Sequence, residues 1–412
     1  MQRWIFAPVL TLTCIVAACS TSSPSGPGAP PGAESRETAG DGGPSGGGTA
    51  VDGAVDAPSG PPAIRFVGRF DARETKGPKC GWPGCRVIAR FEGTAVSAKL
   101  EEILYEWQEE GGPSEWDVAI DGAVTKKIVV QKGEQSFELA SGLAAGVHTV
   151  ELYKRSEAQN GVTRFLAFDF HGGALLSPPH APGRRIEIVG DSQPAAFGIE
   201  GVGEGPDCPG NDWAARWQNF HRSFGARLGE ILGADVHGTV YSGKGFVRNI
   251  WRPDTEAMPV LYERANPVDD PSPFDLASFV PDVVTIMLGG NDFAVGQPED
   301  DGPTPEDQFL AAVDTFVGRL RGAYPAAHLY LVVSPSVSDA EPAGRGSRTK
   351  IVSAFMTVAT ERTAKGDARV HFVEPPVAQA SELTACNGHG SPAYHERVAR
   401  DLEPVIRGHM GW

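Results

Sequence analysis

Residues 184–198 read RRIEIVGDSQPAAFG. The apolar run Ile186–Val189 has the length and composition of a strand buried on both faces. It runs straight into Gly190-Asp191-Ser192, a turn that would present a hydroxyl at the strand's carboxyl end. Four further apolar runs follow, at 235–241, 282–288, 328–334 and 369–373. Helical stretches are expected between them at about 213–232, 305–322, 345–364 and 391–407. In the second of these, Phe309, Val313, Phe316, Val317 and Leu320 fall on one face and Pro305 stands near the start. Alternating strands and helices predict an open, doubly wound α/β sheet from 183 to 412, whose ligands bind at the carboxyl ends of its strands.

The residues that could do chemistry fall at those ends. Gly190-Asp191-Ser192 follows the first run, Ser242-Gly243-Lys244-Gly245 the second and Gly289-Gly290-Asn291-Asp292 the third. His389 lies in the loop CNGHGSPAYH before the last helix, and its near rival His395 falls on that helix. Taken singly each has an ordinary reading: Ser192 a turn serine, Gly243 turn punctuation, Asn291 a helix cap, His389 a surface histidine. Their order, one after each strand, favours a site. A serine hydroxyl is a weak nucleophile until an imidazole removes its proton, and ester attack puts negative charge on an oxygen that fixed N–H donors can stabilise. A serine opening a helix would also gain from the helix dipole.

These blocks resemble those of the SGNH (GDSL) hydrolases. Together with IRFVGRFD, ASGLAAGVHTVELYKR, RRIEIVGDS, YSGKGFVRN, PDVVTIMLGGNDF and ACNGHGSPAYH, the chain from about residue 62 onward is similar to carbohydrate esterase family 2, the two-domain acetylxylan-esterase-like enzymes. The resemblance implies a flavodoxin-like three-layer α/β/α hydrolase domain. It makes Ser192 the nucleophile and first oxyanion donor, the Gly243 N–H the second donor, the Asn291 side chain the third, and His389 the base and then the acid. Asp292 reads as structural, holding its loop by hydrogen bonds. The implied substrate is an O-acetylated plant or microbial polysaccharide or oligosaccharide. Another short-chain SGNH esterase or lipase, or a glycan-binding lipoprotein with an impaired site, are the alternatives. Two departures stand out. The family's Cys-Asp-aromatic-His-Pro block reads Cys386-Asn387-Gly388-His389-Gly390, so no acid stands two residues before the histidine; an asparagine can orient an imidazole but not neutralise it. The Ile/Leu-Thr usual after GDS is Gln193-Pro194.

Upstream, from 62 to 178, short alternating runs such as CRVIARFEG, AVSAKLEE, WDVAIDG and HTVELYKR are separated by turn signals at Asp121-Gly122 and Lys132-Gly133. Many short strands without helices predict a β-sandwich of jelly-roll type, serving as a support or a glycan-binding module. Trp82, Trp107, Trp116, Trp213 and Trp251 could form a sugar platform, with core packing the expected role of each.

The first 19 residues carry one early Arg3, an apolar stretch and Val16-Ala17-Ala18-Cys19. That ending resembles a bacterial lipobox, with a plain secretory signal as the competing reading. Residues 20–61 contain almost no large apolar side chains and are expected to be a flexible tether. Both point to an exported protein, anchored by lipid at a bacterial cell surface or in the periplasm. In an oxidising compartment Cys80, Cys85, Cys208 and Cys386 suggest two disulfides. Three pairings are possible; Cys80–Cys85 with Cys208–Cys386 is preferred because KCGWPGC closes a small loop. No metal or cofactor is expected, since no histidine or second CxxC stands at ligand spacing. The formal charge of −16 argues against a nucleic-acid partner. The chain is expected to act as a monomer.

Overall fold

The computed structural model describes residues 61, 63–203, 208–269 and 271–412. The expected leader (1–19) and nearly all of the tether (20–61) lie outside the described residues.

The segment from Arg65 to Leu175 forms two antiparallel sheets. The larger has six strands, ordered Arg65–Val67, Arg86–Gly93, Gly146–Lys154, Glu115–Ile120 and Ala123–Val129, with Ala174–Leu175 also pairing on Arg86–Gly93. The smaller runs Lys79–Cys80, Val162–Asp169, Val96–Ile103 and Gly133–Ala140. Inward residues alternate along the strands, as a sheet with one buried face requires. Val87, Ala89 and Phe91 from one sheet join Val96, Ala98, Leu100 and Phe165 from the other in a single buried cluster. Trp116 bridges the sheets through Nε1, which donates to Thr163 Oγ1 at 2.9 Å.

The second half is the expected α/β layer. Its five parallel strands lie in the order Ala234–Val240, Arg184–Gly190, Val283–Met287, His328–Val332, Val370–Val373, which is 2-1-3-4-5 by sequence. Side chains alternate across it. Val189, Val284, Ile286, Leu329 and Leu331 face helices Glu306–Ala323 and Ser347–Ala364. Ile186, Ile188, Val236, Val283 and Val332 face helices Phe224–Leu232 and Pro392–Met410. The first of these clusters is continuous with the sandwich core. In such a sheet the crevice for ligands opens where the winding reverses, outside the first and third strands in sequence.

Two expectations need correction. The helix expected over 213–232 exists only at Phe224–Leu232, where Ser223 Oγ accepts from the Ala226 N–H as its cap. Ahead of it the chain makes short 3-10 turns, because Asn219 takes an extended φ of −158° and the Gln218 side chain is spent on the Glu157 N–H and the Trp213 carbonyl. Core packing holds for Trp82 and Trp116, both buried. It fails for Trp107, which is 39% exposed, since Gln108 and Gly111 take the buried positions of its turn; Trp213 and Trp251 are half-buried.

Candidate active site

Ser192 stands directly after the first parallel strand because Gly190 lets that strand close against its neighbour. A Cβ at Gly190 would lie 2.3 Å from the Met287 carbonyl oxygen and 2.5 Å from Pro194 Cγ. Asp191 then caps a helix of one turn, Ser192–Ala195, accepting from the Gln193 N–H at 3.3 Å. Four residues carry little macrodipole, so the support expected for Ser192 from a helix dipole is small.

The Ser192 hydroxyl meets His389 across 197 residues of sequence: Oγ and Nε2 are 2.8 Å apart. The other ring nitrogen, Nδ1, lies 2.9 Å from the Cys386 carbonyl oxygen. A carbonyl only accepts, so Nδ1 carries the proton and Nε2 presents a lone pair to the serine O–H. Burial holds the imidazole down at about 4, while backbone hydrogen bonds at Cys386 and Asn387 act in the opposite direction. At neutral pH it is therefore an uncharged base. Asn387 offers it no side-chain group. Its backbone is left-handed (φ 54°) and its side-chain amide donates to Asp212. The orienting group is thus the backbone carbonyl of Cys386, not the side chain two residues before the histidine. Cys386 is itself pinned by a disulfide to Cys208, and the second disulfide joins Cys80 and Cys85, the preferred pairing.

The two departures from the family pattern meet each other. Gln193 Oε1 accepts the Gly390 N–H at 3.1 Å, a buried bond between the residue after the serine and the residue after the histidine. Proline at 390 would have no N–H to give. Glycine also suits the site because a Cβ there would lie 2.3 Å from Tyr394 Cδ1.

Asn291, at the end of the third strand, donates from Nδ2 to the Lys244 carbonyl at 2.8 Å and to Asp191 Oδ2 at 3.2 Å. It caps no helix. Burial, with some like-charge repulsion from Asp292, pushes the Asp191 carboxyl up to about 7. Asp292 is structural as expected: its carboxylate accepts from the N–H groups of Phe246, Val247 and Arg248 at 2.7–3.0 Å and from Thr304 Oγ1. That fixes the loop after the second strand, on which Gly243 has a φ of 81° that a side chain would disfavour. Ser192, Asn291 and His389 line one cavity of about 120 Å³, with Asp191, Gln193, Gly290, Ser334, Ser336 and Val337. Gly243 is not among its lining; it is tied to the cavity through the adjacent Lys244 carbonyl, which receives Asn291. His395 is buried on the last helix, with Nδ1 accepting the Phe224 N–H, and is no competitor for the serine. Sequence reasoning missed Ser334 and Ser336. They follow the fourth strand, as the other site residues follow theirs, but nothing distinguished them from ordinary turn serines.

A larger open cleft of about 570 Å³ shares no lining residue with this cavity. Its walls are occupied by ion pairs, Arg155 with Asp117 and Glu200, and Arg222 with Glu200.

Comparison with known proteins agrees with this two-part fold. The carbohydrate esterase 2 N-terminal family matches residues 66–179, and the GDSL-like lipase/acylhydrolase family matches residues 188–406. The chain is 30% identical over 352 residues to the cellulase/esterase CelE of Acetivibrio thermocellus, covering 85% of this chain but 40% of that protein. It is 26% identical over 356 residues to the acetylxylan esterase / glucomannan deacetylase of Cellvibrio japonicus, covering 85% of this chain and 90% of that protein. Among solved structures, a family two carbohydrate esterase from Clostridium thermocellum in complex with cellohexaose superposes with a TM-score of 0.76 at 30% identity, covering 85% of this chain and all of that one. With both halves matched in order and the fold superposing on that of a family two carbohydrate esterase at 30% identity, the chain belongs to carbohydrate esterase family 2, with a GDSL-like hydrolase domain.

Proposed function

We propose that the chain is a serine esterase that removes acetyl groups from O-acetylated polysaccharide or oligosaccharide. The observation that carries this reading is the contact of Ser192 Oγ with a neutral His389 Nε2 whose other nitrogen is fixed on a backbone carbonyl. His389 takes the serine proton as Oγ attacks the acyl carbonyl. Negative charge develops on the carbonyl oxygen, which the N–H groups of Ser192 and Gly243 and the Asn291 amide receive; the longer Asn291 bond, to Asp191, is the one that yields. Collapse expels the sugar oxygen, to which His389 returns the proton, and leaves acetyl-Ser192. Water, deprotonated by the same imidazole, then releases acetate and restores the serine. A cavity of about 120 Å³ suits a short acyl group better than a long chain. The name of one relative, acetylxylan esterase / glucomannan deacetylase, supports a hemicellulose substrate. The leader and tether support a lipid-anchored enzyme working outside the cytoplasm of a bacterium.

Acetate release from acetylated xylan and glucomannan, compared with release of long-chain acids from lipid esters, tests the reading. Turnover of the acetylated glycans that vanishes in Ser192→Ala is expected; preference for long acyl chains would favour a lipase instead.

A further inference from the structure

Glu157 belongs to the sandwich half, three residues beyond the strand Gly146–Lys154, and is fully buried. Its carboxylate points at the other half of the molecule. Oε2 accepts the Ser242 N–H and Oε1 accepts the Ser242 hydroxyl, each at 2.6 Å; burial pushes the carboxyl up to about 7, and these two bonds act in the opposite direction. The glutamate is itself held: its N–H donates to Gln218 Oε1 at 2.9 Å, and its carbonyl accepts from Asn160 N and from the buried Lys154 Nζ.

Ser242 is the residue before Gly243. Binding both its N–H and its hydroxyl fixes the start of the peptide whose N–H belongs to Gly243. The far side of that peptide is fixed as well, since the Gly243 carbonyl accepts the Ile250 N–H at 2.8 Å and the Lys244 carbonyl accepts Asn291. A buried carboxylate is costly, and a neutral apolar contact would join two domains more cheaply. Both oxygens nevertheless make their short bonds to one residue of the loop after the second parallel strand, Oε1 also accepting a longer one from Gln159 Nε2 at 3.4 Å.

We propose that Glu157 is a positioning residue for the oxyanion site: by gripping Ser242 it aims the Gly243 N–H at the oxygen that gains charge, so the sandwich supplies part of the hydrolase geometry. This rests on the esterase reading above.

The test is steady-state hydrolysis of p-nitrophenyl acetate by the full chain, with kcat and KM separated and the thermal midpoint recorded. Glu157→Ala is expected to lower kcat about 30- to 300-fold, near the loss seen on removing one oxyanion donor, with KM changed less than about threefold. Glu157→Gln can still accept from the Ser242 N–H and donate to its hydroxyl oxygen, so it should recover kcat to within about fivefold of wild type. Ser242→Ala, which removes one of the two bonds and leaves the glutamate in place, should lower kcat about three- to tenfold and add little to Glu157→Ala. A folded Glu157→Ala with wild-type kcat, a loss carried by KM, or Gln and Ala variants equally impaired would overturn the proposal. If Glu157→Ala does not fold, wild-type kcat in Ser242→Ala would overturn it. A wild-type protein without Ser192-dependent turnover would instead overturn the esterase reading itself.

Discussion

His389 reaches Ser192 as a neutral imidazole because burial disfavours its cation, and the Cys386 carbonyl fixes its tautomer without supplying a full negative charge. The pH dependence follows. The base must be unprotonated, and its value is lowered from 6.5 to about 4. Activity should therefore persist as pH falls through 6.5 and decline only near 4. The acid limb of kcat/KM, which reports the free enzyme, should have its midpoint close to pH 4; a midpoint at 6.5 or above would mean that the imidazole is not held as described. Gln193 sets the second condition at this scale. Gln193→Leu, which restores the kind of residue usual at this position, would strand the buried Gly390 N–H at a cost of about 1–3 kcal/mol. Because that N–H neighbours His389, kcat should fall about tenfold, as initial rates and denaturant midpoints would show.

The loops that follow the parallel strands carry the site, and each is braced by something outside itself. The histidine loop is braced by Cys208–Cys386, which closes a span of 178 residues. Replacing both cysteines with alanine should lower unfolding free energy by up to about 5 kcal/mol on the chain-entropy estimate for so long a loop. It should also lower kcat, since the carbonyl that holds His389 belongs to Cys386; equilibrium unfolding and steady-state kinetics would measure the two effects. Strand runs such as Ile186–Val189 and the residues closing them were legible in the sequence because period and punctuation are local signals. The shortened helix at Phe224–Leu232 was not, because the Gln218 side-chain bonds that hold the preceding turns run to Trp213 and, across 61 residues, to Glu157. Nor was the pairing of Gln193 with Gly390: each looked like an isolated departure until folding brought residues 197 apart together. The direction of Asn387 was equally hidden, since its left-handed backbone turns the side chain to Asp212.

At the scale of the whole molecule, the sandwich and the hydrolase layer are joined through buried polar bonds as well as apolar contact. Arg69, from the sandwich half, pairs with Glu187 on the first parallel strand at 2.8 Å, both about 1% exposed. Glu187 also accepts from Thr239 Oγ1 at 2.8 Å and from the Tyr262 hydroxyl at 2.7 Å. Arg69→Met would leave that carboxylate buried without its cation and should cost about 3–5 kcal/mol in a denaturant titration, part of which Glu187→Leu in the same chain should restore. These joints hold the two halves as one unit behind the strand that leads to Ser192. The most direct measurement is peptide mass mapping after rapid quenching of the enzyme during p-nitrophenyl acetate turnover. The predicted result is one acetyl group on the peptide containing Ser192, absent from Ser192→Ala, whose turnover falls by at least about a thousandfold. Undiminished turnover in Ser192→Ala, or acetylation at another residue, would contradict it.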